Sequence, residues 1–226
     1  MDDNGQTSTG LLLEPQTASH RDVGVEFTPA GLRLRANYYH IDLENEIYFS
    51  PLAFAPGAFF PGANVNLSPT RRTGIELSAS WSATGDLDIS GYVNLQTAKF
   101  RTGTYGGVDV SGRDVPLVPR SIAAVRTTWR ATHATQVNGA VRFVGEQRYD
   151  NDQSNQFPRL MPAYALADLN LSYVFGAWRF AGGVRNLFDK KYFSYGIINN
   201  FSCTTASCVY PEAGRTVFAS AEFRLQ

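Results

Sequence analysis

Along most of the chain, apolar and polar residues alternate with a period of two. Val23, Val25 and Phe27 stand against Asp22, Gly24 and Glu26, and Leu32, Leu34, Ala36 and Tyr38 against Arg33, Arg35, Asn37 and Tyr39. Ile75, Leu77, Ala79 and Trp81 oppose Glu76, Ser78, Ser80 and Ser82, and the rhythm returns over 87–96, 123–130, 137–144, 165–175, 178–185 and 217–225. Successive side chains of a strand point to opposite faces, so each segment reads as a strand with one apolar and one polar face. The segments predict an all-β fold, an antiparallel up-and-down meander of about nine strands. Alternation alone leaves open whether the apolar face meets a protein core or lipid.

The connections narrow this choice. Short ones fall at 28–31, 83–86, 131–134 and 176–177, and long ones near 50–64, 103–116, 150–162 and 189–211. Short turns at one end and long loops at the other are the asymmetry of outer-membrane barrels. Trp81 and Trp129 immediately precede short turns and Trp178 follows one, so all three tryptophans share one end. An aromatic girdle at a membrane interface predicts this placement, because indole has an apolar body and a polar N–H. The polar faces, with Glu76, Arg126, Arg130, Arg142 and Glu222, would then line a hydrated lumen.

Composition agrees with β structure: 13% of the residues are aromatic and only 18% charged, below the roughly 25% of soluble domains. Twenty Lys+Arg balance twenty Asp+Glu, which provides no basic field for nucleic acid. No run approaches the roughly 18 apolar residues of a transmembrane helix. The opening MDDNGQTSTG is polar and acidic, unlike a secretory signal peptide. It suits either a cytoplasmic chain or one whose exported N-terminal part lies outside this sequence. Cys203 and Cys208, the only cysteines, lie in CTTASC and suit a small loop disulfide better than two free thiols.

Candidate chemistry is sparse. His40 lies near Asp42, but no nucleophile motif accompanies them, so no catalytic residue is assigned. Residues 150–154, DNDQS, alternate oxygen ligands like a calcium loop, yet Asn155 replaces the required glycine and Met161 the closing glutamate. No metal site or cofactor is assigned. The aromatics of the long connections, Phe54, Phe59, Phe60, Tyr105, Tyr149 and Tyr195, either line an apolar ligand pocket or pack on one another to order the loops. Arg101, Arg113 and Arg148, with Arg159 near the same end, are placed to pair with an anionic ligand, to stay solvated, or to meet lipopolysaccharide.

Three blocks carry a family resemblance. Residues 64–81, NVNLSPTRRTGIELSASW, place basic residues and a Gly-Ile-Glu before alternating small and apolar positions. Residues 183–192, GVRNLFDKKY, close one strand, and residues 210–225, YPEAGRTVFASAEFRL, lead into the last. In this order the blocks resemble the C-terminal part of a TonB-dependent outer-membrane receptor. The final Phe-Arg-Leu-Gln departs from the terminal aromatic of such barrels.

The resemblance implies that residues 1–226 are a C-terminal portion of a transmembrane barrel of about 22 strands, with the N-terminal plug and the remaining strands outside this sequence. It implies uptake of a ferric siderophore or a similar bulky, scarce nutrient across the outer membrane of a Gram-negative bacterium. TonB would drive uptake through the plug, outer-membrane lipid and lipopolysaccharide would surround the barrel, and no chemistry would be done on the ligand. Two other readings stay open, a passive porin-like or structural barrel and a barrel hydrolase. The hydrolase needs a Ser–His pair on the outer face, and the sequence offers none.

Overall fold

The computed structural model describes residues 13–51, 53–55, 57–198 and 207–225. Its elements are all strands: β1 (Thr17–Phe27), β2 (Leu32–Glu44), β3 (Ile47–Ser50), β4 (Ala63–Asn66), β5 (Thr70–Ser82), β6 (Leu87–Phe100), β7 (Thr104–Tyr105) and β8 (Val108–Asp109). There follow β9 (Ser121–Trp129), β10 (Thr135–Val144), β11 (Tyr164–Phe175), β12 (Trp178–Arg185), β13 (Phe193–Ile197), β14 (Cys208–Pro211) and β15 (Thr216–Phe223). Nine form one antiparallel sheet in the order β1-β2-β5-β6-β9-β10-β11-β12-β15, the predicted meander. The sequence reading did not anticipate the other six. They pair as β3-β4, β7-β8 and β13-β14, three small ribbons inside three of the four long connections.

Register carries the two faces across the whole sheet. Phe27 stands opposite Leu34, Leu34 opposite Ala79, Ala79 opposite Gly91, Gly91 opposite Val125, and Val125 opposite Val141. Farther on, Trp129, Val137, Leu171, Gly182 and Ala219 form another continuous row. A slip of one residue would flip a strand's apolar set to the other face, and no pairing within the sheet has such a slip. Between Trp178 and Phe223 the girdle becomes direct contact: the rings lie 5.0 Å apart, and Phe180 stacks on Trp178 at 5.9 Å.

No described element covers the apolar face. Each strand of the sheet contacts only its neighbours, and Leu77, Val125, Val141 and Leu171 are all exposed in mid-sheet. The buried apolar residues sit instead at the long-connection end. Leu67, Ala98, Phe100, Val110 and Val115 form one cluster, and Tyr149, Met161 and Ile198 another. A sandwich or soluble barrel has its core between its strands; here the buried residues gather at the long-connection ends of the strands, Ala98 and Phe100 of β6 among them, and in the loops that follow. β1 and β15 are the sheet's edges, and each leaves one row of backbone groups without a strand partner among the described residues.

The faces exchange character where the loops begin. The row Tyr38, Ile75, Leu95 is the last apolar one on its face. The next rows on that face are His40, Thr73, Thr97 and then Asp42, Arg71, Lys99. On the opposite face the polar series ends in the buried Leu43, Ala98 and Phe100. The apolar run of β6 from Leu87 to Leu95 spans about 26 Å at roughly 3.3 Å per residue. A strand tilt of about 40° reduces it to about 20 Å, comparable with the roughly 25 Å band of outer-membrane barrels.

Candidate functional site

The long connections converge on one short stretch, residues 148–157 of the connection between β10 and β11. Asp150 is its centre. Its carboxylate accepts hydrogen bonds from the hydroxyl of Tyr48 at 2.8 Å and from that of Tyr195 at 2.5 Å. Tyr48 belongs to the first long connection and Tyr195 to the last. The backbone reinforces the join, since Asp150 N donates to Gly196 O at 2.8 Å and Ile198 N donates to Asp150 O at 3.1 Å.

Neighbouring residues recruit the second long connection. Asn151 Oδ1 accepts from the Tyr105 hydroxyl at 3.0 Å, and that hydroxyl lies 2.8 Å from Ser50 Oγ. Asn155 Nδ2 donates to Asp114 O at 2.9 Å, while its Oδ1 accepts from Asp114 N at 2.7 Å. Asn151 and Asn155 hold left-handed backbone, with φ of 65° and 52°, a conformation asparagine tolerates better than most residues. In the DNDQS run the side-chain oxygens of Asp150, Asn151 and Asp152 are therefore spent on joining loops, accepting from protein donors.

Burial sets the protonation of this tie. It pushes the phenols of Tyr48 and Tyr195 well above the ordinary tyrosine range, helped by the negative charge of Asp150, so both remain donors. Burial also raises the Asp152 carboxyl, against the lowering effects of the Phe157 backbone N–H and the Arg148 guanidinium, which stands 3.3 Å away. Below the polar layer Tyr149 packs edge-on against Phe157 at 5.2 Å and stacks with Phe193 at 6.4 Å.

The residues singled out from sequence have three different settings. Tyr105, Tyr149, Tyr195 and Arg148 belong to the tie, where they order the loops. Arg101 is committed to Glu44 at 2.6 Å and approaches Asp42 at 3.8 Å. Phe54, Phe59, Phe60 and Arg113 remain exposed, with Phe59 94% accessible. Cys208 opens β14, and Cys203 lies outside the described residues. Asp42 lies between His40, 3.0 Å away, and Arg71, whose Nε donates to it at 2.8 Å. Sequence reasoning missed Tyr48 as a member of this tie, while the oxygen-rich DNDQS run and the loop residues Tyr105, Tyr149, Tyr195 and Arg148 pointed toward it.

The family blocks also acquire physical reasons. In NLFDKKY, Asn186 takes a left-handed conformation (φ 50°). Its amide accepts from Lys190 N at 2.9 Å and donates to Lys190 O at 2.9 Å, while its own backbone N–H reaches Asp168 Oδ1 at 2.8 Å. Asp189 then accepts from Arg215 N at 2.8 Å, which joins the exit of β12 to the entry of β15. A side chain at Gly214 would meet that carboxylate at 2.7 Å.

A meander with an uninterrupted apolar band on one face, a polar opposite face and loops tied at one end has the pattern of an outer-membrane-type β-barrel wall. The family model "TonB dependent receptor-like, beta-barrel" matches residues 2–187, and the chain belongs to that family. Two curated relatives are similar over 92% of the chain: the ferrioxamine receptor of Yersinia enterocolitica at 24% identity and the ferric enterobactin receptor of Pseudomonas aeruginosa at 26%. The chain spans 28% and 29% of their lengths. The crystal structure of the ferric yersiniabactin uptake receptor FyuA from Yersinia pestis superposes with a TM-score of 0.71 at 21% identity, over 91% of this chain and 29% of that one. That likeness concerns the fold.

Proposed function

We propose that the chain forms the C-terminal part of the barrel of an outer-membrane receptor that imports a ferric siderophore, in a TonB-dependent manner. The observation that carries this reading is the apolar band, free of charge on nine register-matched strands and opposite a polar face. A bilayer in contact with that band and water on the other face satisfy both. Family membership and the printed activities of the relatives support the ferric ligand. In this reading about 22 strands close the barrel, the plug fills it and conveys the pull of TonB, and lipopolysaccharide surrounds the outer leaflet. The exposed Phe54, Phe59, Phe60 and Arg113 meet the ligand, and the tied tyrosines hold the loops that present them. The ligand leaves chemically unchanged.

The test is uptake of radiolabelled ferric complexes by a siderophore-uptake-deficient strain expressing the full-length receptor, with and without TonB. Accumulation that requires both receptor and TonB is expected. Uptake of small solutes independent of TonB would replace this reading with a passive barrel.

A further inference from the structure

One row of the polar face differs from its neighbours. Arg33 of β2 stands opposite Ser80 of β5, Ser80 opposite Ser90 of β6, and Ser90 opposite Arg126 of β9. The row lies one residue from Trp81 along β5, on the short-turn side of the sheet. Three strand spacings separate the arginine backbones, about 14 Å, so two long side chains from the ends can both reach over the serines between them. They do line a common cavity, of about 270 Å³, together with Ser78 and Tyr92.

No carboxylate lines this cavity, and Glu76, on the same face, lies two residues beyond Ser78 along β5. Glu26 is held by Arg35 at 2.7 Å and only approaches Arg33, at 3.7 Å. Asp88 is held by Arg130 at 2.7 Å and also accepts from Ser82. Asp168, two strands from Arg126 through Ala140, accepts the Asn186 N–H, and Arg142 adds a further positive charge beside Ala124. Arg126 makes no ion pair or side-chain hydrogen bond among the described residues. Guanidinium groups only donate, and hydroxyls can donate, so the floor and both walls offer hydrogens to the same small volume.

We propose that this row is a carboxylate cradle on the inner wall, in which Arg126 and Arg33 grip the two oxygens of one carboxylate above Ser80 and Ser90. Arginine's planar fork suits bidentate capture. The serines, short and hydroxylated, leave room and add donors. The proposal rests on the reading that this face lines a barrel lumen. The carboxylate comes either from an acidic side chain of the protein that fills the lumen or from a carboxylate-bearing solute passing through it.

The experiment uses the full-length receptor with Arg126→Gln and with Arg33→Gln/Arg126→Gln. Heat-modifiable mobility establishes assembly. Arg126→Lys, which keeps the charge but loses the fork, covers the case in which the glutamine variants do not assemble. Two quantities are read: vancomycin sensitivity of the cells, which reports a loosened lumen filling, and calorimetric binding of citrate as a carboxylate probe to the purified receptor. A several-fold rise in vancomycin sensitivity with no citrate binding assigns the cradle to a protein carboxylate. Citrate binding that weakens about tenfold or more in the variants, with vancomycin sensitivity unchanged, assigns it to a solute. If both quantities stay at wild-type level in every assembled variant, the cradle is refuted. Ferric uptake by the wild type is scored separately, so a receptor that imports no ferric complex would overturn the transport reading without deciding this one.

Discussion

The phenol ring of Tyr39 lies across Gly74 on the neighbouring strand. A Cβ built on Gly74 would sit 2.6 Å from Tyr39 Cζ and 2.8 Å from the carbonyl oxygen of Leu95. Tyr39 is buried there, and its hydroxyl donates to Gln96 Oε1 at 3.0 Å. The glycine of the Gly-Ile-Glu block is thus the floor on which an aromatic ring rests, a device that shields a strand glycine from losing packing.

Gly74→Ala is expected to destabilise the refolded full-length receptor by about 1–3 kcal/mol, because the ring can swing away but the Leu95 carbonyl cannot. Tyr39→Phe keeps the ring and loses only the hydroxyl bonds, at about 1 kcal/mol. Urea unfolding followed by tryptophan fluorescence ranks the two. A Gly74→Ala protein as stable as wild type would contradict the contact.

Orientation of the sheet is tested at two adjacent residues. Leu171 belongs to the apolar row with Val137 and Gly182, whereas Ser172 faces the other way, opposite Gln136 and Ala181. Arginine at Leu171 is expected to cost about 2–4 kcal/mol near the bilayer midplane, and arginine at Ser172 much less. A fluorophore on a cysteine at Leu171 should be quenched by spin-labelled lipid, and one at Ser172 should not. Equal quenching at both sites would remove the assignment of faces.

Removing the centre of the loop tie should release more than one loop. In Asp150→Ala, the hydroxyls of Tyr48 and Tyr195 lose their acceptor in a partly buried setting, at about 1–3 kcal/mol for each group left unsatisfied. Hydrogen exchange is expected to accelerate both in β3-β4 and in β13-β14, far apart in sequence, while β9 and β10 keep their protection. Acceleration confined to 148–157 would mean that the loops are held independently.

Asp152 gives the tie a pH dependence of unusual sign. Burial raises its pKa in the folded loop above the ordinary 3.8, so the folded form holds the proton more tightly than the unfolded one. The stability linked to that proton is fully present below the unfolded pKa and is lost as pH rises through the folded pKa. Lowering pH from neutral toward about 4 should therefore stabilise the wild-type loop relative to Asp152→Asn, measured as the difference in exchange rates within 148–157. A difference that stays constant, or reverses, over this window would show that Arg148 outweighs burial.

Alternation along the chain determined the nine-stranded meander, its two faces, the aromatic end and the unequal connections. Each is a period or a spacing, and strand geometry converts a period of two directly into two faces. The Asn-Leu-Phe-Asp-Lys-Lys-Tyr block likewise marked a strand exit before any contact was known. What the long connections do was only partly legible. The aromatics at Phe54, Phe59 and Phe60 and those at Tyr105, Tyr149 and Tyr195 look alike in sequence, yet the first three stay exposed and the others enter the tie. Nor does sequence bring Tyr48 to Asp150, or place Arg33 and Arg126 at the two ends of one row, because those residues lie on different strands and loops. The first depends on how the loops fold over the strand ends and the second on the register of three successive pairings, which only the folded chain decides.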